Sequence, residues 1–537
     1  MRHPGLDGEE PVALSRDFEN ELTQYRLDTE EFHSRYEAAV DRVRESLGQD
    51  YANRIGGEDV YTGDSFEVHS PGDQQLLIGR FAAAGASDVD RAVGAASDAF
   101  DSWRRTSWNE RRDIGLKAAE TMADRKFDLA ALITLENGKN RTEAVADVDE
   151  AIDFLRYYAG QLRTENGYAL DTGEPVPGEQ CATMLRPYGV FGVISPFNFP
   201  CAILTGMTAG AILTGNTAVI KPAEATPAIA HAVFDILTDA GVPDGVINLV
   251  AGDGETAGAA LVEHEDVDGI AFTGSRAVGV GIQRRFLDLG KRGPVIAELG
   301  GKNPVIATAS ADLEKAISGV AYGAFGFSGQ KCSATSRVYV DESRFETFVD
   351  ELTARAESVP DHPPDHRDAV VSPVITEEAI ARYRDIIQTS GAIGTVHAGG
   401  TLVAAEHLPE GRYVRPTVLT GIPHDHPIAR EEQFLPVVTV HPIEDLAEGI
   451  ELANDSEFGL CAGLFSEDSA EIETWYTRIE AGMTYVNRSK SATTGALVHA
   501  QPFGGWKFSG TTGKFAGGPW YLQQFMRQQT RTHVLDS

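Results

Sequence analysis

The chain has 537 residues, with 80 Asp and Glu against 46 Lys and Arg, a net charge of −34. That length predicts about two or three domains, and 42% hydrophobic residues rule out wholesale disorder. The negative excess argues against nucleic acid and anionic membranes as partners, because both are bound chiefly through Lys and Arg. The basic residues are lopsided, 11 Lys to 35 Arg, with no lysine before Lys117. Acidic residues run along the whole chain, which predicts a surface suited to a salt-rich cytoplasm, not a local binding patch. The four cysteines, Cys181, Cys201, Cys332 and Cys461, have no CxxC spacing. They predict neither a disulfide framework nor a metal site, and a reducing compartment. The N-terminus lacks the apolar core of a signal peptide.

In chain order, the first 45 or so residues read as an acidic helical arm, with a helical pattern from Phe18 to Leu47. Turn residues and a short apolar run from Phe66 to Leu77 predict hairpins. Amphipathic helices are predicted over Ser87 to Thr106, with Ser87 as cap, over Asn109 to Asp124, and from about Arg141 to Arg163. From Pro187 to Ile220 there is no charged residue. Pro196, Asn198, Pro200 and Asn216 break this stretch, so it reads as a buried strand, a turn and a buried helix, not a membrane span.

Short β-rich runs then alternate with helices. Strands are expected at 190–194, 217–220, 246–250 and 269–272, with helices reaching Thr214 and covering Pro227 to Ala240. A second βα series is expected from Pro294 to Val486, with helices over Leu313 to Phe325 and Glu342 to Ser358. Alternation of this length implies parallel sheets with crossover helices, and so an α/β fold of two doubly wound domains meeting at a cleft.

Three segments carry chemistry. In Phe325-Gly326-Phe327-Ser328-Gly329-Gln330-Lys331-Cys332-Ser333, a cysteine follows a Gly-rich bend after a helix. Small neighbours leave the sulfur open to a substrate, and a polar loop can lower a thiol pKa. Such a cysteine serves either as a nucleophile or as an inert buried thiol. Glu298, in Ala297-Glu298-Leu299-Gly300-Gly301-Lys302, ends a strand, where open α/β sheets bind ligands. It reads as a general base or as a solvated loop carboxylate. In Ser195-Pro196-Phe197-Asn198-Phe199-Pro200 the prolines fix a turn, aiming the Asn198 amide either at an oxyanion or at its own backbone. Lys221-Pro222-Ala223-Glu224 puts a cation and a carboxylate at a strand end, suited to ribose hydroxyls. Phe272-Thr273-Gly274-Ser275 opens a helix suited to a pyrophosphate. Gly252-Asp253-Gly254 is only a weak dinucleotide fingerprint.

Together and in this order, these motifs resemble the aldehyde dehydrogenase superfamily over residues 45–530. Glu431-Glu432-Gln433-Phe434 and Pro502-Phe503-Gly504-Gly505 agree with it. The resemblance implies Cys332 as nucleophile, Glu298 as general base, and Asn198 with the Cys332 N–H as oxyanion donors. It implies a cofactor site of Ser195, Pro196, Phe197, Lys221, Glu224, Gly254, Phe272, Thr273, Gly274, Ser275, Leu299, Glu432 and Phe434. NAD is the expected cofactor, with NADP possible, since Glu224 favours a free 2′-hydroxyl. Beyond the N-terminal arm (1–45) read from the helical pattern, the resemblance implies a cofactor domain (46–171 and 188–297) and a catalytic domain (298–510). Oligomerisation strands and a tail (172–187 and 511–537) complete it, giving a homodimer or larger homo-oligomer.

Within the superfamily, Phe-Gly-Phe-Ser-Gly-Gln-Lys-Cys-Ser-Ala, Glu150-Ala151-Ile152-Asp153-Phe154-Leu155-Arg156-Tyr157-Tyr158 and Ala516-Gly517-Gly518-Pro519 resemble the 1-pyrroline-5-carboxylate (glutamate-semialdehyde) dehydrogenases. That implies oxidation of L-glutamate γ-semialdehyde to glutamate in proline degradation. Ser333, Gly495 and Ala496 would hold the α-carboxylate, Glu150 would sit near the amino group, and Phe199 and Phe503 would line the substrate site. The alternative is another carboxylate-bearing semialdehyde, of succinate or 2-oxoglutarate. The chain departs from the pattern in having about three extra residues before Thr494 and Leu435 where glycine is usual.

Overall fold

The computed structural model describes residues 18–23, 26–403, 405, 407–489 and 497–534. A seven-stranded sheet carries, in order, Val295–Glu298, Val267–Thr273, Val190–Ile194, Thr217–Lys221 and Ile247–Leu249, followed by the hairpin strands Asn53–Ile55 and Glu58–Val60. The first five are parallel and the hairpin is antiparallel. Successive side chains of a strand point to opposite faces, and here both faces are apolar. Phe191, Val193, Ala218, Ile220, Ala271 and Ile296 join one core, with helices Ala202–Leu213 and Pro227–Ala240. Val190, Val219, Ile270, Phe272 and Ala297 join another, with helices Ala86–Trp103 and Arg276–Asp288. Continuous apolar runs covered by helices on both faces are the signature of a doubly wound parallel sheet.

The second sheet has the order Thr395–Ala398, Thr417–Thr420, Val437–Ile443, Thr335–Asp341, Asn303–Ala307, Cys461–Phe465, Met483–Val486, parallel except for the first strand. Its side chains also alternate between cores: Val305, Val338 and Val340 lie on one face, and Ile306 and Tyr339 on the other. The third sheet is antiparallel. Glu179–Pro187 pairs with Ala169–Val176 on one side and Met526–Val534 on the other, and both outer strands are exposed along almost their whole length. No helix among the described residues is long and apolar enough to cross a membrane.

Several expectations change. The N-terminal pattern is a short 3-10 turn, Glu21–Thr23, and a separate helix, Glu30–Ser46, which starts where the Thr29 hydroxyl accepts from the Phe32 N–H. Ser87 is not a cap: the helix begins at Ala86 after Gly85, whose N–H donates to Asp88 at 2.9 Å. Helix Lys126–Asn137 carries no periodic signal in the sequence, because it is buried on most sides and shows no amphipathic stripe. Val295–Glu298 belongs to the first sheet, not to the second series, since it pairs with Val267–Thr273.

Candidate active site

The carboxyl ends of the first sheet's strands are brought level by their register: Ile194 pairs with Lys221 and Phe272, and Thr273 pairs with Glu298. The loops leaving these ends therefore share one edge. The Ser195 N–H donates to the Lys221 carbonyl at 3.2 Å, and the Lys221 ammonium donates to Glu224 at 2.7 Å. A Cβ on Gly254 would stand 4.0 Å from the Glu224 carboxylate, so these two motifs face each other. Ser275 caps helix Arg276–Asp288, its hydroxyl accepting from the Val278 N–H. Gly274 must be small, because a Cβ there would lie 2.5 Å from the Phe272 ring. Phe272 and Leu299 are themselves core side chains, shaping the edge from below.

The second sheet closes this edge. The Phe197 ring meets Phe434 edge-on at 5.7 Å. Glu432 accepts from the Gly301 N–H at 2.9 Å, and a Cβ on Gly300 would lie only 2.2 Å from its carboxylate. Burial pushes the Glu432 carboxyl up to about 7.

Cys332 follows a backbone knot in which Phe327, Ser328 and Gly329 all have positive φ, at 49°, 51° and 66°. Left-handed side-chain-bearing residues persist only where their surroundings hold them. Here Gln330 donates to the Pro373 carbonyl at 3.0 Å and accepts from the Ile375 N–H at 2.9 Å, while Ser328 bonds the Ser372 carbonyl. Asn303 then donates to the Cys332 carbonyl at 2.8 Å, fixing the peptide at the sulfur. Burial, and after it the carboxylates of Glu432 and Glu298, push the Cys332 thiol up. A lowered thiol was the expectation from its polar loop, so the direction is reversed: the fold encloses that loop.

Cys332 opens onto a cavity of about 700 Å³, also lined by Glu298, Ser333, Thr273, Glu150, Phe199 and Phe503. Glu298 is held at a strand end through its backbone, its carbonyl accepting from the Gly274 N–H at 3.2 Å. Its Oε2 is buried without a hydrogen-bond partner among the described residues, and burial raises its carboxyl well above the usual range. Burial pushes Glu150 up to about 8. Asn198 is buried in the turn between Ile194 and Ala202 and has no side-chain partner among the described residues. It is not among the cavity's lining residues, whereas its neighbour Phe199 is. Gly495 and Ala496 lie outside the described residues.

Buried ions beside the cavity escaped sequence reasoning. Lys139 donates to Asp147 at 2.8 Å, both side chains fully buried, and its ammonium lies 3.5 Å from the centre of the Phe199 ring. Lys331 donates to Glu143 at 2.5 Å. Only the adjacency of Lys331 to Cys332 offered a signal. Removing one partner of a buried pair strands the other charge, so Lys139→Met should cost about 3–5 kcal/mol. The thermal transition should fall by several degrees, and Asp147→Leu in the same chain should restore part of the loss.

The aldehyde dehydrogenase family profile matches residues 60–531. The chain belongs to the aldehyde dehydrogenase family. Among its relatives is 1-pyrroline-5-carboxylate dehydrogenase 1 of Halalkalibacterium halodurans, 37% identical over 504 residues, covering 92% of this chain and 95% of the relative. The 1-pyrroline-5-carboxylate dehydrogenase of Geobacillus kaustophilus is 38% identical over 500 residues, with the same coverage. In structure, the chain is similar to a 1-pyrroline-5-carboxylate dehydrogenase from Thermus with bound NAD, with a TM-score of 0.92 and 37% identity. That match covers 97% of this chain and 100% of the other. The α/β fold of this aldehyde dehydrogenase thus agrees with the two doubly wound sheets read from the sequence.

Proposed function

We propose that the chain is an NAD-dependent dehydrogenase that oxidises L-glutamate γ-semialdehyde, the open form of 1-pyrroline-5-carboxylate, to L-glutamate in proline degradation. The observation that carries this reading is the single cavity onto which Cys332, Glu298, Ser333 and Glu150 all open. It offers a nucleophile and a base together with a hydroxyl and a carboxylate for the ends of an amino acid. The relatives' names and the NAD in the Thermus structure support it.

The strand-end edge fits NAD. The carboxylates Glu224 and Glu432 suit ribose hydroxyl pairs, and the N-terminus of helix Arg276–Asp288 suits a pyrophosphate. Glu224 would repel a 2′-phosphate, which favours NAD over NADP. The nicotinamide, when bound, supplies the acceptor for the hydride leaving the substrate carbon.

The protein's own residues supply the rest. The Cys332 thiolate adds to the aldehyde carbon, giving a tetrahedral alkoxide that accepts from the Asn198 amide and the Cys332 N–H. Loss of hydride leaves a thioester on Cys332. Glu298 takes a proton from water as that water attacks, and the acid departs with the thiolate restored. Ser333 takes the substrate carboxylate and Glu150 the ammonium, with Phe199 and Phe503 against the chain between them.

The test is NAD reduction with pyrroline-5-carboxylate beside succinate semialdehyde. A strong preference for the former is expected, and equal efficiency with the latter overturns the amino-acid assignment. Running it at low and high KCl tests the salt-rich cytoplasm that the charge of −34 supports, for which activity should rise with salt. The exposed third sheet supports assembly as a homodimer or higher homo-oligomer. Among the described residues, those up to 45 would belong to the arm, those of 46–171 and 188–297 to the cofactor half, and those of 298–510 to the catalytic half.

The pH dependence follows from the raised thiol and carboxyl. Below their pKa values both hold protons, so Cys332 is a poor nucleophile and Glu298 cannot take a proton. Because both groups are raised above their ordinary values, activity should climb as pH rises above neutrality and fall away on the acid side. A flat kcat/KM profile from the acid side to above neutrality would contradict these roles.

A further inference from the structure

The N-terminal residues lie outside the part of the chain that the family profile matches, which begins at residue 60. Leu22, Arg26, Leu27 and Asp28 nevertheless line the active-site cavity. This wall is anchored by the residues just before it. The Asn20 amide donates to Asp153 Oδ2 at 2.9 Å and to the Val498 carbonyl at 3.0 Å. The Glu21 N–H donates to both Asp153 oxygens, at 3.0 and 3.2 Å. Asp153 and Val498 are themselves lining residues.

Other contacts stitch the same junction. The Phe18 ring packs edge-on against Tyr157 at 5.4 Å and His499 at 5.8 Å. The Glu21 carboxylate pairs with Lys126 at 2.7 Å and with Arg156, and Lys126 also pairs with Asp149. Asn20 and Glu21 are only 7% and 9% exposed, so these bonds are shielded from competing water. Three separate pieces of the cavity wall therefore meet at one amide: the N-terminal segment, helix Arg141–Thr164 and the chain at Val498. On that helix Asp153 stands three residues from Glu150, and side chains at that spacing are neighbours.

We propose that Asn20 is a positioning residue for the amino-acid end of the substrate. By holding Asp153 and Val498 together it sets the helix face that presents Glu150, and it seats Leu22 and Leu27 as the outer wall of the pocket. Asn20 does not touch the reacting atoms. Its effect falls on binding of the substrate's charged end, equally in ground and transition states, and so on KM and not kcat. The inference rests on the functional reading above, in which Glu150 faces the substrate ammonium.

The experiment compares wild type with Asn20→Ala and Asn20→Ser, using glutamate semialdehyde and propanal, an aldehyde with no charged end. Two shielded hydrogen bonds are lost in the alanine variant, so its KM for the semialdehyde should rise roughly tenfold at unchanged kcat. KM for propanal and NAD affinity should stay as in wild type. The serine variant keeps one donor, should fall between the two, and decides the matter if the alanine variant fails to fold. An unchanged KM for the semialdehyde, or an equal rise for propanal, overturns the proposal. A wild-type enzyme that ignores glutamate semialdehyde overturns the functional reading instead.

Discussion

Replacing Cys332 with alanine is expected to lower dehydrogenase activity by roughly 10⁴-fold or more, while NAD binds as before. The size of the effect follows from the loss of the only atom that forms a bond to the substrate, for which no neighbour substitutes. Cys461 is the other thiol acting on Cys332, and it is a buried core side chain on the strand Cys461–Phe465. Cofactor binding should survive because Lys221, Glu224 and Ser275 hang from the first sheet, and Cys332 hangs from the knot between two strands of the second, Asn303–Ala307 and Thr335–Asp341. The change is small in volume, and the knot's shape is held by Gln330 and Ser328, which remain. NAD titration against the absence of NADH formation reads both halves of the expectation. Residual turnover within tenfold of wild type would exclude Cys332 as the nucleophile.

Glu298→Gln is expected to separate the two halves of the reaction. The amide keeps the shape of the carboxyl but cannot take a proton from water, so thioester hydrolysis should slow by about 10²–10⁴-fold. The first half does not need that base, so one equivalent of NADH per site should appear quickly and then stall. Intact-protein mass spectrometry should find the acyl group on Cys332. Its Oε2, buried without a partner among the described residues, leaves an acceptor free for the attacking water. A normal steady-state rate in this variant would refute the base assignment.

The parts legible in the sequence were those written locally. The helix Pro227–Ala240 begins at a proline and ends before a left-handed glycine, and its bounds agree with the reading. Strand ends punctuated by Gly, Pro and Ser mark where ligands could sit and point to Glu298, Lys221 and Ser275, and the Gly-rich bend after a helix points to Cys332, all without reference to distant neighbours. What stayed hidden depends on distant pairing. Lys139 reads as an ordinary surface lysine until Asp147 and Phe199 are packed around it. Asn20 contacts residues 133 and 478 positions away, a separation that no local pattern encodes. The raised thiol is illegible locally for the same reason, since enclosure of the Cys332 loop is a property of the whole fold.

The support of Glu298 has a consequence for the order in which the enzyme matures. Its strand is closed on the outer edge by residues that come some two hundred positions later. The Leu299 N–H donates to the Ser509 carbonyl at 2.9 Å, the Thr511 N–H to the Ala297 carbonyl at 3.0 Å, and Glu298 itself bridges to Gly510. A ribosome making this chain releases the cofactor sheet first and the cysteine knot next, but the clasp on the base only near the end. The strand ends that carry Lys221, Glu224 and Ser275 are therefore synthesised long before the residues that clamp Glu298. A chain cut short before Ser509 is therefore expected to lack turnover although it carries Cys332, because the strand of its base is left unclasped.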